Sequence, residues 1–188
     1  MKKRSVQAPA PTRLLLLIRH GKAAPKDIGL SDFERVLTAD GVTECRQMAT
    51  LLASHVPCID QILSSPADRA LETAHLFAQA FCFPTEQIAL VPNLYSSDQI
   101  KAIIATVKRT DPRIKLIALV GHNPMFDDLA AYFIPGFRES IDKSGVVAIS
   151  FGKLPWTEIR KGAGQLTFAI APSDNVHQKA RANRRAVA

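Results

Sequence analysis

The chain has 188 residues, of which 47% are hydrophobic and 22% charged, the size and composition of one ordinary globular domain and unlike a disordered or collagen-like chain. The net charge of +7 is carried by the ends: residues 1–13 and 177–188 hold eight Lys and Arg and no Asp or Glu, so the body is at −1 and is no basic nucleic-acid binder. Cys45, Cys58 and Cys82 are odd in number and form no CxxC pair, which argues against a disulfide framework or zinc site and for buried thiols in a reducing cytoplasm. Residues 13–172 read as a single domain between two flexible basic tails, 1–12 and 173–188. "SVQAPAPT" after the positive start is not apolar enough for a signal peptide, and no run is long enough to span a membrane. The expectation is a cytoplasmic monomer without membrane contact.

In chain order, "LLLLI" (14–18) reads as a buried strand ending on Arg19-His20-Gly21. A polar loop follows, from Lys22 to Asp40. Residues 38–56 place Val42, Cys45, Met48, Ala49, Leu52 and Val56 on one helical face, with Thr38 or Asp40 as cap. "DQILSS" is a short strand, and Pro66 precedes a helix over 67–81. "QIALVPNL" (87–94) reads as a strand, 97–109 as a helix opened by Ser97 or Asp98, and "KLIALV" (115–120) as a central parallel strand closed by Gly121. A helix with Pro124 near its start runs to Phe133, and "VVAISF" and "GQLTFAI" read as antiparallel or edge strands.

This alternation predicts a three-layer α/β/α sandwich whose central sheet is mostly parallel with an antiparallel edge. In such sheets ligands bind outside the carboxyl ends of the strands. Three predicted strand ends carry polar residues: Arg19-His20-Gly21, Ser64-Ser65 leading to Arg69, and Gly121-His122-Asn123. Singly, each has an ordinary explanation as a strand end, a solvated helix residue or a cap. Together they describe a compact cationic pocket with nitrogen nucleophiles and no cysteine or carboxylate cluster for a metal. Guanidinium forks match phosphate oxygens, and a positioned imidazole can attack phosphorus.

"RHG", "SSPADRALETA" and "GHNP", in that order across roughly 14–170, resemble the histidine phosphatase (phosphoglycerate mutase-like) superfamily, and the short chain with "LTADG" is most similar to its SixA-type phosphohistidine phosphatases. The resemblance implies that His20 becomes phosphorylated, that Arg19, Arg69 and His122 grip the phosphoryl oxygens, and that water releases phosphate without metal or cofactor. Gly21 is expected to orient the His20 ring and leave room in the pocket. Ser65 is expected either to contact substrate or to serve a turn, and Asn123 to border the substrate. A neutral His20 beside a protonated His122 would suit the chemistry.

Many relatives place a glutamate after the third strand as general acid, where "NLYSS" offers Ser96, and others place an acid where Asn123 stands. Asp98 is a nearby candidate acid or an N-cap, and Asp27 or Asp32 could fold over from the first loop. A weak acid favours a substrate with a good leaving group: phosphohistidine in a phosphotransfer protein, with a small phosphorylated metabolite as the alternative. A catalytically weak phosphate-binding docking module is a third reading. Outside the site, His55 and His75 read as helix-surface residues, His177 as tail, Glu72 as pairing with a base on its helix, and Trp156 as packing.

Overall fold

The structure, a computed structural model, describes residues 12–26, 31–96 and 99–173; nearly all of both expected tails, and Asp27, Ser97, Asp98 and His177, lie outside the described residues. Strand β1 (Arg13–Arg19) has four consecutive residues, Leu15 to Ile18, with no exposed surface. Leu15 and Leu17 belong to one core cluster and Leu16 and Ile18 to the other, so β1 is buried on both faces. Burial on both faces is why the run is continuously apolar rather than alternating. Each such side chain contributes roughly 1.5–3 kcal/mol on leaving water.

The core beneath Leu16 and Ile18 is built with α1 (Ala39–Ala53) and α2 (Asp68–Ala80), whose buried residues include Cys45, Met48, Leu52, Ala70, Ala74 and Phe77. The opposite core is built with α3 (Ile100–Lys108) and α4 (Met125–Phe133), through Ile103, Val107, Phe126, Leu129 and Phe133. Between these two helical layers lies a six-stranded sheet. Its other members are β2 (Gln61–Ser64), β3 (Ala89–Leu90), β4 (Leu116–Gly121), β5 (Val146–Gly152) and β6 (Gln165–Ile170), in the order β3-β2-β4-β1-β5-β6. The first four in that order run parallel, β5 pairs antiparallel with β1, and β6 antiparallel with β5. The three-layer α/β/α arrangement is the expected one, with β6 as the antiparallel edge.

The strand expected over 87–94 shrinks to two residues, because Pro92 has no N–H to continue the ladder and starts a 3-10 turn over Pro92–Leu94 instead. Thr38, rather than Asp40, caps α1: its Oγ1 accepts from the Gly41 N–H at 3.0 Å. Asp40 lies in the first turn, where the helix dipole favours a negative charge. Trp156 is buried and donates its indole N–H to the Ile114 carbonyl at 2.9 Å, consistent with a packing role.

The start of α1 presses on the chain just beyond β1. The Lys22 carbonyl accepts from the Thr38 N–H at 2.9 Å, and a Cβ on Gly41 would stand 2.2 Å from that same oxygen. Helix propensity alone favours Ala over Gly here by up to about 1 kcal/mol. Gly41→Ala is nonetheless expected to destabilise by roughly 1–3 kcal/mol, because backbone must move to admit the methyl. Urea denaturation checks this; a variant as stable as the parent would mean that α1 does not anchor at Lys22.

Candidate active site

The parallel ladder aligns three strand ends. Arg19 pairs with Gly121 and Ser64 with Val120, and the pairing extends one residue further: the His20 N–H donates to the Gly121 carbonyl at 3.0 Å and the Ser65 N–H to the Val120 carbonyl at 2.9 Å. His20, Ser65 and His122 are therefore brought together by backbone pairing. The His20 and His122 rings lie 4.8 Å apart, and both line an open cleft of about 660 Å³ with Arg19 and Arg69.

His20 Nδ1 lies 2.8 Å from the carbonyl oxygen of Gly21. A carbonyl only accepts, so Nδ1 carries the proton and Nε2 the lone pair. Arg69 Nε donates to that lone pair at 3.3 Å. The rest of the Arg69 guanidinium is held by Asp32: Nη1 donates to the Asp32 main-chain carbonyl and Nη2 to its carboxylate at 2.9 Å. Arg35 donates to the other Asp32 oxygen at 2.7 Å, and the Tyr95 hydroxyl donates to Oδ2 at 3.2 Å. Burial pushes the Asp32 carboxyl up, but Arg35 and Arg69 outweigh it and hold it at about 2. Asp32 is thus an ionised partner for Arg69 and cannot supply a proton near neutrality, which removes it from the candidate acids, of which Asp27 and Asp98 lie outside the described residues.

Arg19 reaches the cleft from the last residue of β1, with Nη1 donating to the Ile141 carbonyl at 2.7 Å. Asn123 also lines the cleft, but its Nδ2 is used by the same Ile141 carbonyl and by Ser140 Oγ, both at 3.1 Å. Asp127 on α4 binds the Ser140 hydroxyl and the Ile141 N–H, so Asn123 and Asp127 together fix the turn on which Arg19 rests.

Four expectations need correction. Gly21 leaves no room in the pocket: a Cβ there would stand 2.5 Å from Cys45 Sγ, so the close approach is to α1, while the Gly21 N–H binds Thr73 Oγ1 and its carbonyl orients His20. Ser65 is fully buried and does not line the cleft; its Oγ meets His122 Nε2 at 2.9 Å and the Ala67 N–H at 3.3 Å. The two imidazoles are not in different states in the free site. Burial, helped by Arg69, Arg19 and Lys143, lowers His20 to about 4, against the opposing Gly21 hydrogen bond. Burial, then His20 and Arg69, lowers His122 to about 3 although Asp32 opposes this, so both rings are neutral at pH 7. Glu72, likewise, accepts from the Leu37 N–H at 2.6 Å and ties the first loop to α2 instead of pairing with a base.

The model of the histidine phosphatase superfamily (branch 1) matches residues 15–94. An uncharacterised chloroplastic protein of Arabidopsis thaliana is 30% identical over 178 residues, covering 88% of this chain and 80% of its own. The chain belongs to the histidine phosphatase superfamily, branch 1. Among solved structures, the protein histidine phosphatase SixA complexed with tungstate superposes with a TM-score of 0.73 at 22% identity, covering 86% of this chain and 98% of that one. A provisional phosphohistidine phosphatase SixA from Agrobacterium tumefaciens gives 0.68 at 27% identity, covering 86% and 99%.

This histidine phosphatase chain also recruits residues its sequence did not single out. Tyr95 stands edge-on to the His122 ring at 5.6 Å and hydrogen-bonds Asp32; it lay unremarked inside the quoted "NLYSS", which carries no pattern marking it. Arg35 and Lys143 line the cleft from two different loops, where single cations read as solvated surface. Lys26 lines it as well, 3.8 Å from Asp32.

Between about pH 4 and the ordinary histidine value of 6.5, the unfolded chain binds protons that His20 and His122 exclude in the fold. Stability therefore rises with pH across this window and is lost as pH falls through it. Melting curves should show Tm dropping from pH 6.5 to 4, and the drop should shrink in His20→Gln. An unchanged slope in that variant would mean that other groups carry the acid sensitivity.

Proposed function

We propose that this chain is a metal-independent phosphatase in which His20 is the nucleophile and phosphohistidine in a phosphotransfer protein is the substrate. The His20 Nε2 lone pair forms a bond to phosphorus while the leaving group departs with the electron pair of its own bond. Water then attacks phosphorus, the N–P bond breaks, and its electron pair returns to Nε2 as inorganic phosphate leaves. Arg19, Arg69 and His122 border the place where charge develops on the phosphoryl oxygens. Arg69 has N–H groups beyond those bound to Asp32, and its Nε need only move from His20 Nε2 to a phosphoryl oxygen.

The observation that carries the substrate reading is the state of Asp32, the only carboxylate lining the cleft among the described residues, ionised and bound by two arginines. An alkoxide needs a proton in order to leave, whereas the imidazole of a protonated phosphohistidine leaves as a neutral ring. The likeness to SixA structures points the same way. A small phosphorylated metabolite is the second reading, favoured by the exposed Lys26 and Lys143 on the cleft wall, which suit a further anionic group. Of the three cysteines only Cys45 is buried as expected; Cys58 and Cys82 are exposed, and free exposed thiols are what the reducing cytoplasm proposed for the chain would keep reduced.

With EDTA present, the protein should dephosphorylate a phosphohistidine-bearing phosphotransfer domain, and His20→Ala should abolish turnover. Turnover surviving in His20→Ala sinks the mechanism; hydrolysis of small esters alone sinks the substrate choice; phosphate binding without turnover leaves the docking module. Asp32→Asn should slow phosphohistidine and an alkyl ester such as glycerol phosphate by the same factor, roughly tenfold, because it loosens Arg69. A loss confined to the ester would restore Asp32 as general acid.

A further inference from the structure

Ser65 follows the last residue of β2 and is completely buried. Its Oγ has two partners, the Ala67 N–H at 3.3 Å and His122 Nε2 at 2.9 Å. The backbone N–H can only donate, so it occupies a lone pair of the oxygen and leaves the hydroxyl proton to be placed. His122 Nε2 is the one acceptor the described residues offer that proton; directing it elsewhere would orphan a buried O–H. Donation from Ser65 to Nε2 requires Nε2 to be the unprotonated nitrogen and puts the ring proton on Nδ1. His122 is 8% exposed, and its Nδ1 is buried with no hydrogen-bond partner among the described residues. A residue that lines the cleft thus holds a buried donor with no partner among the described residues.

We propose that Ser65 is a positioning residue that fixes His122 as the neutral Nδ1–H tautomer, so that His122 can donate a hydrogen bond to a phosphoryl oxygen without first being protonated. This rests on the phosphatase reading above and supplies what the expected imidazolium was meant to provide. The groups around the ring agree. Arg19 on β1, His20 beyond it and Arg69 on α2 all oppose a positive charge on His122, and only Asp32 favours one. Tyr95, edge-on to the ring, gives its hydroxyl proton to Asp32 and leaves Nδ1 free. An imidazolium would moreover donate from Nε2 as well, turning Ser65 into a double acceptor whose own proton had no partner.

Long-range proton–nitrogen NMR of the nitrogen-15-labelled protein at neutral pH reads the tautomer directly. A pyrrole-type Nδ1 and a pyridine-type Nε2 on His122 are expected, with the Nδ1 resonance moving when inorganic phosphate is added. In the free Ser65→Ala variant the two tautomers should mix. Its kcat should fall roughly tenfold, less than the 10²–10³ that outright loss of an oxyanion donor costs, with little change in KM, and Ser65→Thr should recover it. A protonated Nε2 in the parent protein overturns the proposal even if Ser65→Ala does not fold, and so does an unaltered tautomer in a folded Ser65→Ala. The expected tautomer in a protein with no turnover on any phosphorylated substrate would uphold the role of Ser65 and overturn only the phosphatase reading.

Discussion

Everything at the cleft depends on the parallel pairing of β1 and β2 with β4, carried one residue past the ends of the strands. The N–H groups of His20 and Ser65 are spent on the carbonyls of Gly121 and Val120, and the His20 carbonyl accepts from Ser144 at 3.2 Å. Backbone hydrogen bonds fix His20 from both sides, so its ring inherits the rigidity of the sheet. Side chains alternate along a strand, and a slip of one residue would turn Leu15 and Leu17 to the face now filled by Leu16 and Ile18. With both faces closed by helices, a slip would have to repack both cores at once, and the register has little freedom.

Charge is the second constraint. Among the described residues five cationic side chains line the cleft, Arg19, Lys26, Arg35, Arg69 and Lys143, against the single carboxylate of Asp32. Asp32 is partly exposed while the Arg69 side chain is nearly buried, so solvent weakens their attraction and the fixed hydrogen bonds matter more than the charge product. Those bonds hold the guanidinium edge-on to His20 Nε2. The His20 lone pair is thereby covered by a donor that, on the proposed reading, a phosphoryl oxygen takes over, while burial, helped by the cationic field, keeps the imidazole unprotonated. One arrangement therefore keeps the base free and marks the place for its substrate.

The sequence made the scaffold legible because burial writes a periodic signal. The run 14–18, the spacing of Cys45, Met48 and Leu52, and the apolar "KLIALV" all follow from which faces are covered. Where pairing is marginal the signal misleads: "QIALVPNL" looks like a strand, yet Pro92 and the edge position leave only Ala89 and Leu90 in the ladder. At the site, residues on strand ends were readable because topology gathers them whatever their rotamers. Asp32 and Tyr95 were not readable in role, since Asp32 reaches 37 residues to Arg69 on α2 and Tyr95 reaches 63 residues back to Asp32, from loops with no periodicity. Gly21 illustrates a subtler limit. The need for a glycine is visible in "RHG", but only coordinates reveal that the crowding lies toward Cys45 and not toward substrate.

The protons of the cleft narrow the chemistry further. Both histidines are neutral, each with one ring proton: on His20 it is committed to the Gly21 carbonyl, and on His122 the tautomer proposed above puts it on Nδ1. Asp32 has none to give. Tyr95 has one, but burial and the neighbouring Asp32 charge push its pKa up, and its proton points to that carboxylate. Arginine does not release protons in this range. None of these groups is a ready acid near neutrality, which on the proposed reaction favours a leaving group that arrives with its own proton or departs as a stable anion. Under the proposed mechanism, the burial and charge that keep His20 free to attack thus also bear on which substrates can leave.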